Sequence, residues 1–397
     1  MPERVASSTL GTRRERLRLI GSVTSGSSTW RSPKHPMALS SNPARPRLCL
    51  ALLALAFSIS CSGRELPALN VDLAETSLSG LSSGAFMAVQ FEVAHSAIVK
   101  GVGVIAGGPY YCGQHDVVRA TTQCSCSLDM PFPTCNVSSI SADVPHLESI
   151  TRAAADDGSI DPPTHLAKHR VYIFTGGKDL VVPGTIAAQL EQYYQRFSVP
   201  AGNITKTVQA NAAHTMPTRN YGSRCSVSET PYIGKCGFDG AHAALSWIYG
   251  GLNAPRQGTR TGRFIQFDQA RYVPRVAPFA VTGMDATAWL YVPAACARGE
   301  RCRLHIALHG CKQAQTYTPL QGSALHYGTR FVRHAGYVET ADTNRIVVLF
   351  PQVAPSPENI FGCWDWWGYT GADYANRNGV QIATIHAMAE HIASGRH

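Results

Sequence analysis

The sequence predicts an α/β protein in which helices cover both faces of a mostly parallel β-sheet. Short apolar segments typical of buried strands alternate with longer segments whose apolar residues recur at helical spacing. Hydrophobic residues make up 44% of the 397 residues and charged residues only 15%, a composition that supports a large core. Because neither an internal repeat nor a low-complexity linker follows residue 68, we expect a single domain over 68–397.

The expected strands and helices follow one another in a regular order. In the first half of the chain we expect strands at 71–77, 102–106, 170–174 and 205–210. Helical spacing there covers 85–97, 186–197 and 242–249. In the second half the expected strands are 264–267, 288–292, 304–308 and 345–351. A final helix is expected at 379–393, where the apolar residues form one stripe.

The N-terminal segment predicts export. Arg45 and Arg47 precede the apolar run 48–57, which is followed by small residues, and this order is typical of a secretory signal peptide. The run is too short for a comfortable membrane span. We expect a signal peptide at 37–61 and a non-native or disordered extension at 1–36, with a genuine N-terminal extension as the alternative.

Positive charge is concentrated in the same leader. Nine of the 35 Lys and Arg but only two of the 26 Asp and Glu lie in residues 1–61, so the rest of the chain is nearly neutral. Nucleic acid is therefore not expected as a partner. We expect an extracellular or periplasmic protein without a stable membrane span. A lipid anchor at Cys61 is the alternative, although the residues before Cys61 form a poor lipidation signal.

Cysteine usage also points to an oxidising compartment. Ten cysteines follow the leader, and an even, high count in an exported chain predicts disulfides. Local pairs such as Cys225–Cys236 and Cys296–Cys302 are favoured, but connectivity cannot be read from spacing. Zinc binding by the four cysteines between 112 and 135 is the alternative. Their spacing lacks a Cys-x-x-Cys pair, so no metal is expected.

The segment GLSSGAFM at 80–87 contains the pattern Gly-x-Ser-x-Gly between an expected strand and an expected helix. A nucleophilic serine on such a turn is crowded by backbone on both sides. Gly80 and Gly84 relieve the crowding, and the helix points its N-terminus at the reacting oxygen. We predict Ser82 as a nucleophile, with a structural turn serine as the alternative.

A nucleophilic serine needs a base, and the base needs an orienting acid. Asp179 follows the expected strand 170–174 in a glycine-containing loop, and His214 follows the expected strand 205–210. Both lie where strand ends would bring them to Ser82. An ordinary loop carboxylate and a surface histidine are the alternatives. The rival candidates are Asp156 and Asp157, in a polar loop, and His242, inside a helical pattern.

An oxyanion hole completes this chemistry. One donor would be the backbone N–H of Ser83, and the second normally comes from a loop that precedes the serine. No such loop precedes Ser82, but the expected strand 304–308 runs into His309-Gly310-Cys311 far downstream. If the second half of the chain is placed before the first, an ordinary eight-strand α/β-hydrolase order results. The sequence therefore predicts a circular permutation with the C-terminal helix beside the strand that enters the serine turn.

Several segments together resemble the type 2 extracellular polyhydroxybutyrate (short-chain polyhydroxyalkanoate) depolymerases. They are GLSSGAFM, the loop 177–179, the segment 214–217, LHGCKQ at 308–313 and CWDWWGY at 363–369, within a likeness that covers about 68–395. The resemblance implies Ser82 as nucleophile, His214 as base, Asp179 as its partner, and the Ser83 and Cys311 amides as oxyanion donors. The sequence departs from the family pattern in one respect: no Thr-rich or fibronectin-like linker and no separate substrate-binding domain are recognised after the catalytic part. We therefore expect weaker attack on crystalline polymer.

The segment 363–369 holds three tryptophans, Trp364, Trp366 and Trp367. A purely structural aromatic cluster is one interpretation. The functional interpretation is an aromatic wall of a substrate cleft, which would offer apolar area to methyl-bearing ester units. A Cys311–Cys363 disulfide would tie this wall to the oxyanion loop.

These features predict an exported serine esterase that hydrolyses poly(3-hydroxybutyrate) or its oligomers through an acyl-enzyme. A polyester or oligoester is the expected partner, with no cofactor and no obligate protein partner. A feruloyl or acetyl xylan esterase on the same scaffold is the first alternative, because a Trp-rich cleft also suits a sugar chain. A catalytically inactive secreted binding protein is a remote alternative.

Overall fold

An eight-stranded β-sheet forms the centre of the computed structural model, which describes residues 65–127, 135–275, 281–319 and 325–395. The expected signal peptide and Cys61 lie outside these residues. In chain order the strands are β1 (Thr76–Leu81), β2 (Val99–Ile105), β3 (Arg170–Gly176), β4 (Ile204–Gln209), β5 (Met216–Thr218), β6 (Ser223–Arg224), β7 (Ile233–Lys235), β8 (Arg263–Asp268), β9 (Thr287–Val292), β10 (Arg303–Leu308) and β11 (Ile346–Phe350).

Helices cover both faces of this sheet. They are α1 (Ser83–Ala94), α2 (Val117–Thr122), α3 (Val144–Asp156), α4 (Gly184–Arg196), α5 (Gly240–Tyr249), α6 (Ala294–Ala297), α7 (Arg330–His334), α8 (Tyr337–Asn344) and α9 (Val380–Ala393). Helices α5 and α8 pack on one face, and α1, α4 and α9 pack on the other. None of the helices in the described ranges is long and apolar enough to cross a bilayer.

The strand order confirms the predicted permuted fold. The sheet runs β4-β3-β2-β1-β10-β11-β9-β8, and all neighbours are parallel except β9, which is antiparallel to both strands beside it. Strand β1 therefore pairs with β10, although more than 220 residues separate the partners Ser77 and His305. This pairing brings the serine turn and the downstream Gly310 loop to the same edge. The short strands β5, β7 and β6 form a separate small sheet.

The two ends of the described domain lie together, as the permutation requires. The Leu69 N–H donates to the Ile392 carbonyl of α9 at 2.7 Å, and the His391 imidazole bonds the Leu66 carbonyl at 2.7 Å. The chain then enters β1 later than expected. Asp72 caps a 3₁₀ turn at Leu73–Glu75, so the strand begins at Thr76 rather than at residue 71.

Disulfides tie several loops to this framework. The described residues contain the pairs Cys112–Cys124, Cys126–Cys135, Cys225–Cys236, Cys296–Cys302 and Cys311–Cys363. The pairs favoured by the sequence are confirmed. The four cysteines between 112 and 135 bond each other as disulfides, so they are not zinc ligands. Such a framework is typical of proteins that fold in oxidising compartments.

A buried polar network crosses the β1–β10 pair. Both ring nitrogens of His305 are bonded, Nδ1 to the Ser77 hydroxyl at 2.7 Å and Nε2 to the Ser79 hydroxyl at 2.8 Å. Tyr337 bonds Ser79 and Tyr249 bonds Ser77, each at 2.8 Å. Burial lowers the pKa of His305 to about 3, so the imidazole is neutral at physiological pH.

We expect acid to destabilise the protein through this histidine. In the unfolded chain His305 has a pKa near 6.5, whereas in the folded chain its pKa is about 3. The unfolded state therefore binds the proton first, and stability falls as pH drops from about 6.5 to about 3, by up to roughly 1.4 kcal/mol per pH unit. Urea unfolding from pH 7 to pH 5 measures the slope. A His305→Gln variant should be less stable but show a shallower slope; an unchanged slope would contradict the account.

Candidate active site

The turn between β1 and α1 holds Ser82 in a strained conformation. Its φ is 57° and its ψ is −123°, a conformation that non-glycine residues rarely adopt. The flanking glycines are sterically required. A Cβ on Gly80 would lie 2.3 Å from the Gly84 carbonyl oxygen, and a Cβ on Gly84 would lie 2.4 Å from the carbonyl oxygens of Leu308 and His309. The pattern thus lets the serine turn pack directly on the end of β10.

Backbone bonds hold this turn in place. The Ser82 N–H donates to the Ile105 carbonyl at 3.0 Å, and its carbonyl accepts from the N–H groups of Ala85 and Phe86 at 2.8 and 3.0 Å. Helix α1 begins at Ser83, so its first N–H groups have no carbonyl of their own helix to bond. The Ser82 side chain therefore lies at a helix N-terminus, where negative charge is stabilised.

The structure brings Asp179 and His214 together beside this turn. Asp179 Oδ2 lies 2.9 Å from His214 Nδ1, and Oδ1 accepts from the N–H groups of Val181 and Val182 at 2.9 and 2.8 Å. Both side chains are buried, and the Ser228 hydroxyl accepts the His214 N–H at 3.0 Å. Because the acceptor Asp179 faces Nδ1, the imidazole is protonated there and Nε2 is left as its basic nitrogen.

The rival acids and base are not part of this arrangement. Asp156 is the last residue of α3 and Asp157 caps that helix, whereas we expected both in a polar loop. Both are exposed. His242 lies in α5, as its sequence pattern predicts, and its Nδ1 is 3.2 Å from the Thr340 hydroxyl. None of these side chains lines the cavity that contains Ser82.

The loop after β10 covers Ser82. A Cβ on Gly310 would lie 3.1 Å from the Leu81 carbonyl oxygen and 3.2 Å from Gln313 Oε1, so a larger residue would crowd the loop, whereas its 3.4 Å distance to the Ser82 Cβ is an ordinary contact. The Val353 N–H donates to His309 Nε2 at 3.4 Å, which leaves Nδ1 to donate to the Gly310 carbonyl at 2.9 Å. Since a peptide unit is planar and trans, fixing the Gly310 carbonyl also fixes the direction of the Cys311 N–H. Burial lowers the pKa of His309 to about 4, which keeps this imidazole neutral.

A cavity of about 560 Å³ opens over the candidate residues. Ser82, His214, Cys311, Trp366 and Trp367 all line it. Asp179 lies behind His214 and reaches the cavity only through the imidazole. The arrangement can therefore hold a carbonyl compound between a serine hydroxyl, an imidazole base and the Gly310–Cys311 loop.

The structure corrects one part of the predicted aromatic wall. Trp364 is fully buried and does not line the cavity. Its backbone N–H donates to the Ser83 hydroxyl at 3.3 Å, and its ring lies 5.6 Å from His309. Trp364 is therefore a core residue that supports the turn. Trp366 stacks on Phe86 with the ring centroids 4.1 Å apart.

Asp365 holds the tryptophan segment in its turn. Its Oδ1 accepts from the N–H groups of Trp367, Gly368 and Tyr369 at 3.2, 2.6 and 3.1 Å. Its Oδ2 accepts from the N–H and the hydroxyl of Thr370 at 2.8 and 2.7 Å. Burial raises the pKa of this carboxyl, while the bonds to Thr370 and its neighbours act in the opposite direction. Asp365 thus fixes the backbone of the tryptophan segment and does not line the cavity.

Sequence reasoning missed part of the lining. Val117 and Thr121 of α2, and Ile360 and Phe361 of the loop before the tryptophans, also line the cavity. Helix α2 spans only six residues and its two valines are exposed, so its sequence has no apolar periodicity that would predict a helix. The Cys112–Cys124 disulfide brackets α2 and holds this segment in place; from the sequence only the two cysteines were visible, without their pairing.

Removing the Cys311–Cys363 disulfide is expected to lower kcat on a soluble ester by roughly 100-fold, through the displaced Cys311 N–H. The double variant Cys311→Ala, Cys363→Ala avoids a free thiol and keeps the amide. The matched control is the double variant Cys296→Ala, Cys302→Ala, whose disulfide joins α6 to the residue before β10, at the opposite end of that strand from the Gly310 loop. Steady-state kinetics below both melting temperatures measure the effect. Full turnover by the first variant would contradict the assigned role.

The curated relatives that match this chain are both named as polyhydroxybutyrate depolymerases. No protein-family model matches the chain. The chain is 42% identical over 336 residues to a poly(3-hydroxybutyrate) depolymerase of Delftia acidovorans, an alignment that covers 83% of this chain and 62% of that relative. The chain thus spans less than two thirds of that relative's length. It is 35% identical over 366 residues to a polyhydroxybutyrate depolymerase of Talaromyces funiculosus, covering 87% of this chain and 97% of the relative.

Two solved structures share the fold. One is a PHB depolymerase serine-to-alanine variant complexed with an R3HB trimer, which superposes with a TM-score of 0.71 at 34% identity. The other is the crystal structure of the PHB depolymerase from Penicillium funiculosum, with a TM-score of 0.70 at 34% identity. Each alignment covers 84% of this chain and 100% of the solved chain.

Proposed function

The chain belongs to the polyhydroxybutyrate depolymerase family, and from this premise we propose that it is an exported serine esterase that hydrolyses poly(3-hydroxybutyrate) or its oligomers. The observation that carries the proposal is the strained Ser82 turn, which shares one cavity with the Asp179-bonded His214 and the Gly310–Cys311 loop. The relative with a bound R3HB trimer supports an oligoester as the ligand.

Acylation uses five groups in the proposed mechanism. His214 Nε2 takes the Ser82 hydroxyl proton while Oγ attacks the ester carbonyl carbon. The carbonyl oxygen becomes an oxyanion and accepts from the backbone N–H groups of Ser83 and Cys311, each worth about 3 kcal/mol. Asp179 stabilises the imidazolium that forms. The tetrahedral intermediate collapses, the alkoxide of the hydroxy-terminal fragment leaves, and it takes the proton from His214 Nε2.

Deacylation repeats these steps with water as the nucleophile. A water molecule gives a proton to His214 and attacks the acyl carbon on Ser82. The second tetrahedral oxyanion is held by the same two N–H groups. Its collapse breaks the bond to Ser82 Oγ, which recovers the proton, and releases a carboxylic acid. Apart from water, all the groups that act in these steps belong to this chain.

The cavity walls suit a polyester with small apolar branches. The proposed substrate contacts are Trp366 and Trp367, with Phe86 behind Trp366. Aromatic faces and the aliphatic residues of the cavity offer apolar area to methyl groups, while the ester oxygens would face the N–H donors.

Export is part of the proposal. Five disulfides among the described residues support folding in an oxidising compartment. We propose a signal peptide at 37–61 and a catalytic domain at 68–397 that is extracellular or periplasmic. The mass of the mature N-terminus tests this: a chain starting soon after residue 61 supports it, and a retained leader contradicts it.

Product analysis tests the proposed substrate. We expect the mature protein to release 3-hydroxybutyrate or its short oligomers from amorphous poly(3-hydroxybutyrate). The comparison substrate is a feruloylated and acetylated xylan. Release of ferulate or acetate without attack on the polyester would favour the xylan esterase alternative. Failure to hydrolyse any ester, including p-nitrophenyl butyrate, would favour an inactive binding protein.

A further inference from the structure

Gln313 lies at the end of the loop that carries the proposed oxyanion donor Cys311, and the mechanism above gives it no role. Its side chain is buried, with 1% exposure. Gln313 Oε1 accepts the Gly310 N–H at 2.7 Å. The bond closes the loop on itself and uses the Gly310 N–H, so that this N–H is directed away from the cavity.

The amide nitrogen of Gln313 connects the same loop to another segment. Nε2 donates to the carbonyls of Pro231 and Tyr232 at 3.0 and 3.2 Å and lies 3.3 Å from the Tyr327 hydroxyl. The Tyr327 hydroxyl in turn donates to the Pro231 carbonyl at 2.8 Å. Because two carbonyls face Nε2 and an N–H faces Oε1, the amide has only one satisfactory orientation.

The segment that Gln313 bonds also holds the proposed base. Ser228, three residues before Pro231, accepts the His214 N–H through its hydroxyl at 3.0 Å. The Tyr232 carbonyl accepts the Met216 N–H at 2.9 Å, and Tyr232 itself lines the cavity. Gln313 thus joins the loop of the oxyanion donor to the segment beside His214 by partly buried bonds of 3.0 and 3.2 Å.

We propose that Gln313 is a positioning residue that holds the Gly310–Cys311 loop against the His214 segment and so sets the direction of the Cys311 N–H. The proposal rests on the proposed function, since it gives the N–H a catalytic task. Gln313 itself does not touch the reacting atoms. Its loss should weaken binding of the oxyanion and leave binding of the uncharged ester almost unchanged.

The test compares Gln313→Met with wild type on p-nitrophenyl butyrate. Methionine fills a similar volume but makes neither bond. We expect kcat to fall roughly 10- to 100-fold, because one oxyanion donor is misdirected, while KM changes less than about threefold. Affinity for a trifluoromethyl ketone, which forms an oxyanion on the serine, should fall in parallel with kcat. A merely structural role would not produce this parallel loss.

Gln315→Met is the matched control. Gln315 also bonds through both ends of its amide, to the Trp289 indole N–H at 2.9 Å and to the Thr287 carbonyl at 3.0 Å, but it contacts β9 and not the cavity. We expect Gln315→Met to lower the melting temperature and keep kcat per active site, as titrated with a fluorophosphonate. Gln313→Glu serves if Gln313→Met does not fold, because it keeps the acceptor for Gly310 and loses the amide donor.

Three results would overturn the proposal. They are an unchanged kcat in the Gln313 variants, equal kcat losses for the Gln313 and Gln315 variants, and a kcat loss without a matching loss of ketone affinity. Because these measurements use a general ester, they are independent of the proposed natural substrate. A wild-type enzyme that hydrolyses p-nitrophenyl butyrate but not hydroxybutyrate oligomers would refute the proposed function alone.

Discussion

The Ser82→Ala variant is expected to lose about 10⁶-fold in kcat on a soluble ester, because no acyl-enzyme can form without Oγ. Stability should change little, since the Ser82 side chain makes no capping hydrogen bond with α1. Activity assays at high enzyme concentration and thermal unfolding measure the two effects. Activity above about 1% of wild type, in a preparation free of contaminating esterase, would exclude Ser82 as the nucleophile.

The adjacent serine provides the control for this experiment. Ser83→Ala removes a hydroxyl that accepts the Trp364 N–H at 3.3 Å, but it keeps the backbone N–H of the proposed oxyanion hole. We expect Ser83→Ala to lose less than about tenfold in kcat, the scale of one neutral hydrogen bond. The contrast between neighbouring serines separates covalent catalysis from a general disturbance of the turn.

The Asp179→Asn variant is expected to lose about 10⁴-fold in kcat while its fold is preserved. The N–H groups of Val181 and Val182 require an acceptor, so the new amide oxygen will occupy the Oδ1 position. The amide NH₂ then faces His214 Nδ1, 2.9 Å away in the present pair. Nδ1 becomes an acceptor, the ring proton moves to Nε2, and the imidazole can no longer take the proton of Ser82.

Asp156→Asn is the matched control for this substitution. Asp156 is an exposed residue at the end of α3 and lines no part of the cavity. We expect Asp156→Asn to keep wild-type kinetics. Steady-state kinetics together with the NMR resonances of the His214 ring protons measure tautomer and activity in the same samples. A fully active Asp179→Asn variant, or a proton that remains on Nδ1, would refute the assigned role of Asp179.

The serine turn and the strand ends could be predicted from the sequence because their requirements are local. Glycines such as Gly80 and Gly84 are needed where a strand turns sharply into a packed helix, because a Cβ at these positions would lie 2.3 and 2.4 Å from backbone carbonyl oxygens. The permutation followed from one further local pattern, the strand before Gly310. Parallel strands end at one edge, so the order of the segments was enough to bring Ser82, Asp179 and His214 together.

Features that depend on the surroundings could not be predicted. The sequence does not show which tryptophans of the segment 363–369 are buried. In the structure Trp364 lies in the core while Trp366 and Trp367 line the cavity, because the Asp365 carboxylate bonds the backbone of the turn in this arrangement. The start of β1 was shifted by the Asp72 cap, a side-chain bond that competes with strand pairing. Helix α3 was missed, although Asp143 followed by Pro145 is a recognisable start.

The proposed positioning role of Gln313 also could not be predicted from the sequence. A glutamine in the segment 308–313 could serve on the surface or in the core, and only the three-dimensional arrangement shows its bonds to Gly310, Pro231 and Tyr232. The Pro231 and Tyr232 carbonyls lie about 80 residues away along the chain. Positioning residues of this kind become visible only when buried amide groups are matched with their acceptors.

Fluorophosphonate labelling coupled to polymer hydrolysis tests the central claim most directly. The mature protein is titrated with the label, the modified peptide is identified by mass, and the remaining release of 3-hydroxybutyrate from amorphous polymer is measured in the same samples. We predict one label per chain, on Ser82, and a loss of hydrolysis in proportion to labelling. Label on another residue, or polymer hydrolysis that continues with Ser82 fully modified, would contradict the account.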